Sequence, residues 1–144
     1  MSTAEKSRVL QRDGRGVSFA ARLPRSPSAG ATARRMVRTS LGHVVAPSTL
    51  DDVLLVVSEL VMNAVRHGRG QVELQIGCDD GYVTGHVSDE GDAFAVPAEE
   101  RPAAAAGSRG LWIVEQLAED WGIQDQSAYV WFAIAGEPVG PASS

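Results

Sequence analysis

Apolar residues at Leu50, Val53, Leu54, Val57, Leu60, Val61, Ala64 and Val65 recur at intervals of three and four, the spacing that lines one side of an α-helix. The pattern predicts a helix that begins near Ser48 and stops at Gly68, with Asp51 three residues after Ser48 imitating a capping box. Upstream, Val17, Phe19, Ala21 and Leu23 alternate with Ser18, Ala20 and Arg22, the period of a strand, and Pro24 and Pro27 end it. A helix over about 28–43 follows. Beyond Gly68 the period returns to two: Val72, Leu74 and Ile76 face one way, and Gln71, Glu73 and Gln75 the other. Asp79, Asp80 and Gly81 supply turn chemistry before a partner strand over 82–88, so these segments form an antiparallel hairpin. Residues 90–108 are rich in Gly, Ala, Pro and Glu without a period, as expected of a mobile loop. A third helix over 110–120 would turn Leu111, Val114, Leu117, Ala118 and Trp121 to the core. A hairpin of 121–124 and 128–134 closes the chain.

The order strand, two helices, hairpin, loop, helix, hairpin predicts an α+β, two-layer arrangement with helices on one face of a sheet. Residues 1–15 are polar with scattered apolar positions, and 136–144 hold two prolines and two glycines, so both ends are expected to be loose around one domain at 16–135. With 144 residues, 44% of them hydrophobic, such a domain can bury a core without metal or disulfide support. Cys78 is the only cysteine, which excludes an intrachain disulfide and a clustered thiolate metal site. The longest strongly aliphatic run, 53–57, is far too short to cross a bilayer, and a cytoplasmic protein without membrane contact is expected. A net charge of −5 argues against an extended nucleic-acid surface, although Arg34, Arg35 and Arg38 form a local basic patch.

Candidate chemistry begins on the second helix. Glu59, Asn63 and His67 recur every four residues, and a step of four advances about 40° around a helix, so they form one inclined row. A carboxylate, an amide and an imidazole bordering a buried face can serve as base, metal-ion ligand and hydrogen-bonding group. Taken singly, a helical Glu is usually a solvated surface residue, and Asn63 or His67 can simply close the last turn. Asp89, Glu90 and Gly91 follow the strand ending at Ser88, where a carboxylate can accept a hydrogen bond from an adenine amino group and glycine lets the backbone come close. Alone, such a triplet is usually a turn. Gly107, Ser108, Arg109, Gly110 and Leu111 lead into the third helix, whose free N–H groups and dipole favour an anion. The order of these three parts is more specific than any one of them.

In that order the chain resembles the Bergerat-fold (GHKL) ATP-binding proteins, the superfamily of gyrase, heat-shock chaperones and histidine kinases. Within it, the stretch Ser58-Glu59-Leu60-Val61-Met62-Asn63-Ala64-Val65-Arg66-His67-Gly68 is similar to the anti-sigma-factor serine kinases and their actinobacterial relatives. The likeness covers about 17–134. It implies a two-layer α/β sandwich with a mixed, mostly antiparallel sheet, and ATP and Mg²⁺ as cofactors. It further implies that Asn63 ligands Mg²⁺, Glu59 is the general base, Asp89 reads adenine and Gly91 allows its approach. Gly110 and Leu111 would line the phosphate or adenine pocket. Arg109 is either a phosphate contact or an exposed charge, and His67 either touches ribose or phosphates or merely ends the helix.

The implied activity is phosphoryl transfer from ATP to a serine of a STAS-like antagonist protein, with a sigma factor held or released accordingly and the chain acting as a homodimer. No Gly-x-x-x-x-Gly-Lys stretch occurs and the sole lysine is Lys6, which disfavours P-loop and protein-kinase chemistry. Asp92 and Ala93 depart from the family's more usual glycine or proline after Gly91 and place an extra negative charge near the nucleotide. A non-catalytic ATP- or partner-binding module is therefore an alternative. A detached histidine-kinase catalytic domain is less favoured, because no helical segment carrying a phosphoaccepting His is expected, His43 sitting just before a loop and a proline.

Overall fold

A computed structural model describes residues 7–12, 16–90, 109–123 and 129–136, with the side chains of 7–12 and 109–111 left undescribed. Strands β1 (Ser7–Arg12) and β2 (Gly16–Leu23) precede helices α1 (Ala29–Leu41) and α2 (Pro47–His67). Strands β3 (Val72–Asp79) and β4 (Tyr82–Ser88), helix α3 (Arg109–Leu117), and strands β5 (Asp120–Ile123) and β6 (Tyr129–Ile134) complete the order. The sheet runs β1-β2-β3-β4-β6-β5, and every pairing is antiparallel rather than mixed.

Helix α2 packs on β3, β4 and β6, α1 packs on α2, β2 and β3, and α3 packs on α2 and β5. Alternation puts Phe19, Ala21, Leu23, Leu74, Ile76, Val83, Val87, Phe132 and Ile134 under the helices. The β3–β4 turn is built as its sequence requires: Asp80 and Gly81 hold φ of 59° and 85°, the left-handed pair that matches the twist of a tight hairpin. No helix among the described residues is long and apolar enough to cross a membrane.

Two details differ from the sequence reading. Residues 7–12, expected to be loose, pair with β2 through a register shift between Val9 and Gln11. The adjacent pair Val9-Leu10 breaks the period of two at that shift, so the strand has no alternation to reveal it. Helix α2 starts one residue before Ser48, with Ala46 as N-cap, Pro47 inside the first turn and no side-chain cap hydrogen bond. Pro47 supports this start, since its ring presets φ for the first turn and removes one of the N–H groups that a helix start leaves unpaired. Cys78 lies on the core side of β3, where burial raises its thiol pKa.

Phe19, Ile76, Gly85 and Phe132 stand side by side across four strands. A Cβ on Gly85 would lie 2.6 Å from Ile76 Cδ1, 2.7 Å from the Gln75 carbonyl oxygen and 2.9 Å from Phe132 Cζ. The isoleucine tip can rotate away, but the carbonyl belongs to the ladder and cannot. Gly85→Ala is expected to lower the unfolding free energy by about 1–3 kcal/mol through overpacking, measured as a reduced urea midpoint at unchanged slope.

Candidate functional site

The row Glu59, Asn63, His67 and the apolar stripe of α2 are not separate. Val53, Val56, Leu60 and Asn63 follow one another at steps of three, four and three, and all four are buried, Asn63 to 5% exposure. Val56, which the sequence pattern leaves off the stripe, is fully buried and widens the face until it takes in Asn63. One turn earlier Glu59 is half-buried, and one turn later His67 is exposed. The row therefore climbs from the margin of the core through the core and out to solvent.

Among the described residues the Asn63 side chain has no hydrogen-bond partner. A buried amide left unpaired costs about 1–3 kcal/mol. Its carbonyl oxygen is the hard donor that Mg²⁺ prefers. No group of three His, Cys, Asp or Glu among the described residues can cage a metal ion. Mg²⁺ held here would thus be shared between Asn63 and phosphate oxygens, its usual manner of binding to nucleotides.

Asp89, immediately after β4, is half-buried and lies against Gly68 at the end of α2. The Arg69 N–H donates to Asp89 Oδ1 at 3.4 Å, and the Glu90 N–H donates to the Arg69 carbonyl at 2.9 Å. The fold thereby brings the strand-end carboxylate to the helix that carries Glu59 and Asn63, across more than twenty residues of sequence. Arg109, Gly110 and Leu111 form the first turn of α3, which packs on the same helix; their side chains lie outside the described residues. Gly91, Asp92, Ala93 and the expected loop of 91–108 also lie outside them. Beside the row, Arg34 of α1 donates from Nη1 to Ser58 Oγ at 3.0 Å, tying α1 to α2 one residue before Glu59. Sequence reasoning missed Arg69, because a main-chain donor leaves no side-chain signature.

The opposite face of the sheet carries different features. An open trough of about 400 Å³ is lined there by Ser18, Gln75, Gly77, Thr84, His86 and Trp131 among others, and by none of the predicted site residues. His86 stacks on Tyr129 with ring centroids 4.3 Å apart, and the tyrosine hydroxyl is 3.0 Å from His86 Nδ1. Burial lowers the His86 pKa, with the Glu73 carboxylate pulling the other way.

A helix-covered antiparallel sheet, with a buried amide on its central helix that is unpaired among the described residues and a carboxylate at the adjoining strand end, has the architecture of a GHKL-class ATPase domain. Residues 11–134 match the histidine kinase-like ATPase domain model, and the chain belongs to that family. No curated protein matches the chain significantly.

Two outcomes are expected. Replacing the unpaired amide by an apolar group of similar size, Asn63→Leu, should leave the nucleotide-free protein as stable or about 1 kcal/mol more stable, yet weaken Mg·ATP binding by roughly tenfold or more. Urea unfolding and calorimetry read the two effects separately. For His86, a folded-state pKa below the ordinary 6.5 means that an unfolded chain takes up a proton the folded one resists. Its contribution is complete above that value and is lost as pH falls below it. His86→Gln should therefore flatten the decline of Tm between about pH 7 and about pH 5.

Proposed function

We propose that this chain is an ATP-dependent anti-sigma regulator that phosphorylates a serine of a STAS-like antagonist and, as a homodimer, holds or releases a sigma factor according to that reaction. The observation that carries the reading is the Asn63 amide, unpaired among the described residues and buried one helical turn beyond the half-buried Glu59 carboxylate. Four residues rise about 6 Å along a helix, which suits a metal ligand and a base acting on adjoining parts of one phosphoryl transfer. Bound Mg²⁺ would neutralise charge on the phosphate oxygens, held on the protein side by Asn63. Asp89 would accept a hydrogen bond from the adenine amino group. Glu59 would take the proton of the incoming serine hydroxyl as its oxygen bonds to the γ-phosphorus and the bond to the ADP leaving group breaks. The main chain that opens α3 at Arg109, Gly110 and Leu111 would face the phosphates, where helix N–H groups favour an anion.

Asp92, directly after Gly91 in the sequence, favours a second reading, a module that binds ATP or its partner without transferring phosphate, because its negative charge adds to those that a polyanion would meet.

Incubation of the full chain with labelled ATP, Mg²⁺ and STAS-like antagonist domains tests both. The native protein is expected to label a serine. Glu59→Ala should bind ATP normally and transfer phosphate about 10²–10⁴-fold more slowly. Undiminished transfer by that variant would remove Glu59 from the chemistry, and tight ATP binding without transfer to any antagonist would select the non-catalytic module.

A further inference from the structure

We infer that the segment joining α2 to β3 is a purine-specificity device, in which Gly68 and the main-chain amide of Arg69 are positioning residues for the Asp89 carboxylate. This rests on the reading of Asp89 as the adenine contact.

Gly68 is not required for its backbone conformation. Its φ of −100° and ψ of −161° are extended values open to any residue. Space is the constraint: a Cβ there would be driven into the Asp89 carboxylate and would lie 2.6 Å from the Ala64 carbonyl oxygen. That carbonyl already accepts the Gly68 N–H at 2.7 Å, the last bond of the helix, so the backbone has no room to retreat. The carboxylate therefore occupies the place where a side chain would otherwise stand.

The next two residues complete the hold. Arg69 donates its N–H to Asp89 Oδ1 at 3.4 Å and accepts the Glu90 N–H at 2.9 Å, two reciprocal rungs between the helix end and the strand end. Gly70, at φ +67°, turns the chain back toward β3, and a Cβ on it would enter the Glu90 side chain. The position of the carboxylate is thus set by α2, the helix that also carries Asn63, rather than by β4 alone.

The placement also selects a ligand. Asp89 lies beside the carbonyl end of α2, the negative pole of its dipole. A carboxylate and a carbonyl-rich helix end together attract an N–H donor and repel an acceptor. The 6-amino group of adenine satisfies this demand, whereas the 6-oxo group of guanine or hypoxanthine presents an acceptor, and a polar site built for a donor rejects the analogue that lacks it.

The experiment measures Kd for ATP and for inosine triphosphate, with Mg²⁺, on the full-length protein and on Gly68→Ala, Asp89→Ala and the double variant, together with Tm in the absence of nucleotide. The native chain should prefer ATP by roughly 100-fold or more. Gly68→Ala should lose about tenfold or more of ATP affinity with little change for inosine triphosphate, so that the preference collapses. In the Asp89→Ala background the same substitution should change neither affinity further, and its Tm penalty should shrink because the carboxylate it strikes is gone. Should Gly68→Ala not fold, Arg69→Pro replaces the donor hydrogen with a ring carbon aimed at the carboxylate and should produce the same collapse. If either loop variant keeps the native preference while Asp89→Ala loses it, the positioning role is overturned and Asp89 keeps its own. If Asp89→Ala itself keeps the preference, the adenine assignment fails and the device with it.

Discussion

The seating of α2 across β3, β4 and β6 is the constraint on which the remaining structure depends. Val53, Val56, Val57, Leu60 and Val61 are each at most 2% exposed. Burying a valine or leucine contributes about 1.5–3 kcal/mol, so five of them fix the rotation of the helix far more firmly than one amide can oppose it. Once that rotation is set, Asn63 must lie in the core, because it sits three residues beyond Leu60 on the same line. The cost of an unpaired amide, about 1–3 kcal/mol, is smaller than the packing that imposes it.

The same seating separates the two faces of the sheet. Under the helices, Gly85 yields its space to Ile76 and Phe132, and the core closes without a side chain at that position. On the far face, with no helix above it among the described residues, the strands display Gln75, Thr84, His86 and Trp131 around a shallow trough. The candidate carboxylate belongs to neither face but to the strand end, where β4 stops at Ser88 and Asp89 meets the last turn of α2. A sheet one of whose faces is filled and the other open leaves its ends as the places where helix and strand termini meet.

Secondary links hold the pieces in register. The Arg34–Ser58 hydrogen bond joins α1 to α2 beside Glu59. Val114, fully buried, anchors α3, and Trp121 reaches back from β5 to Glu115 through its indole N–H at 3.3 Å. These contacts tie α3 to the sheet on one side and to α2, which carries the row, on the other.

Much of this was legible in the sequence, because the relevant forces act over a few residues. The alternation of 17–23 and 72–76 marked β2 and β3, Asp79-Asp80-Gly81 marked the hairpin, and intervals of three and four marked α2 to within a residue of its ends. The candidate residues Glu59, Asn63 and Asp89 were also visible, as chemically capable side chains in a recognisable order. Tertiary structure alone decided that β6 lies between β4 and β5, that residues 7–12 add an edge strand, that Asn63 is core and His67 solvent, and that Gly68 is open to make room for a carboxylate twenty-one residues later. Periodicity reports which side of an element is apolar, since bond geometry repeats it locally. Which polar group is trapped by that side, and which distant one is pressed against it, depends on burial summed over segments that meet only when the whole chain has packed.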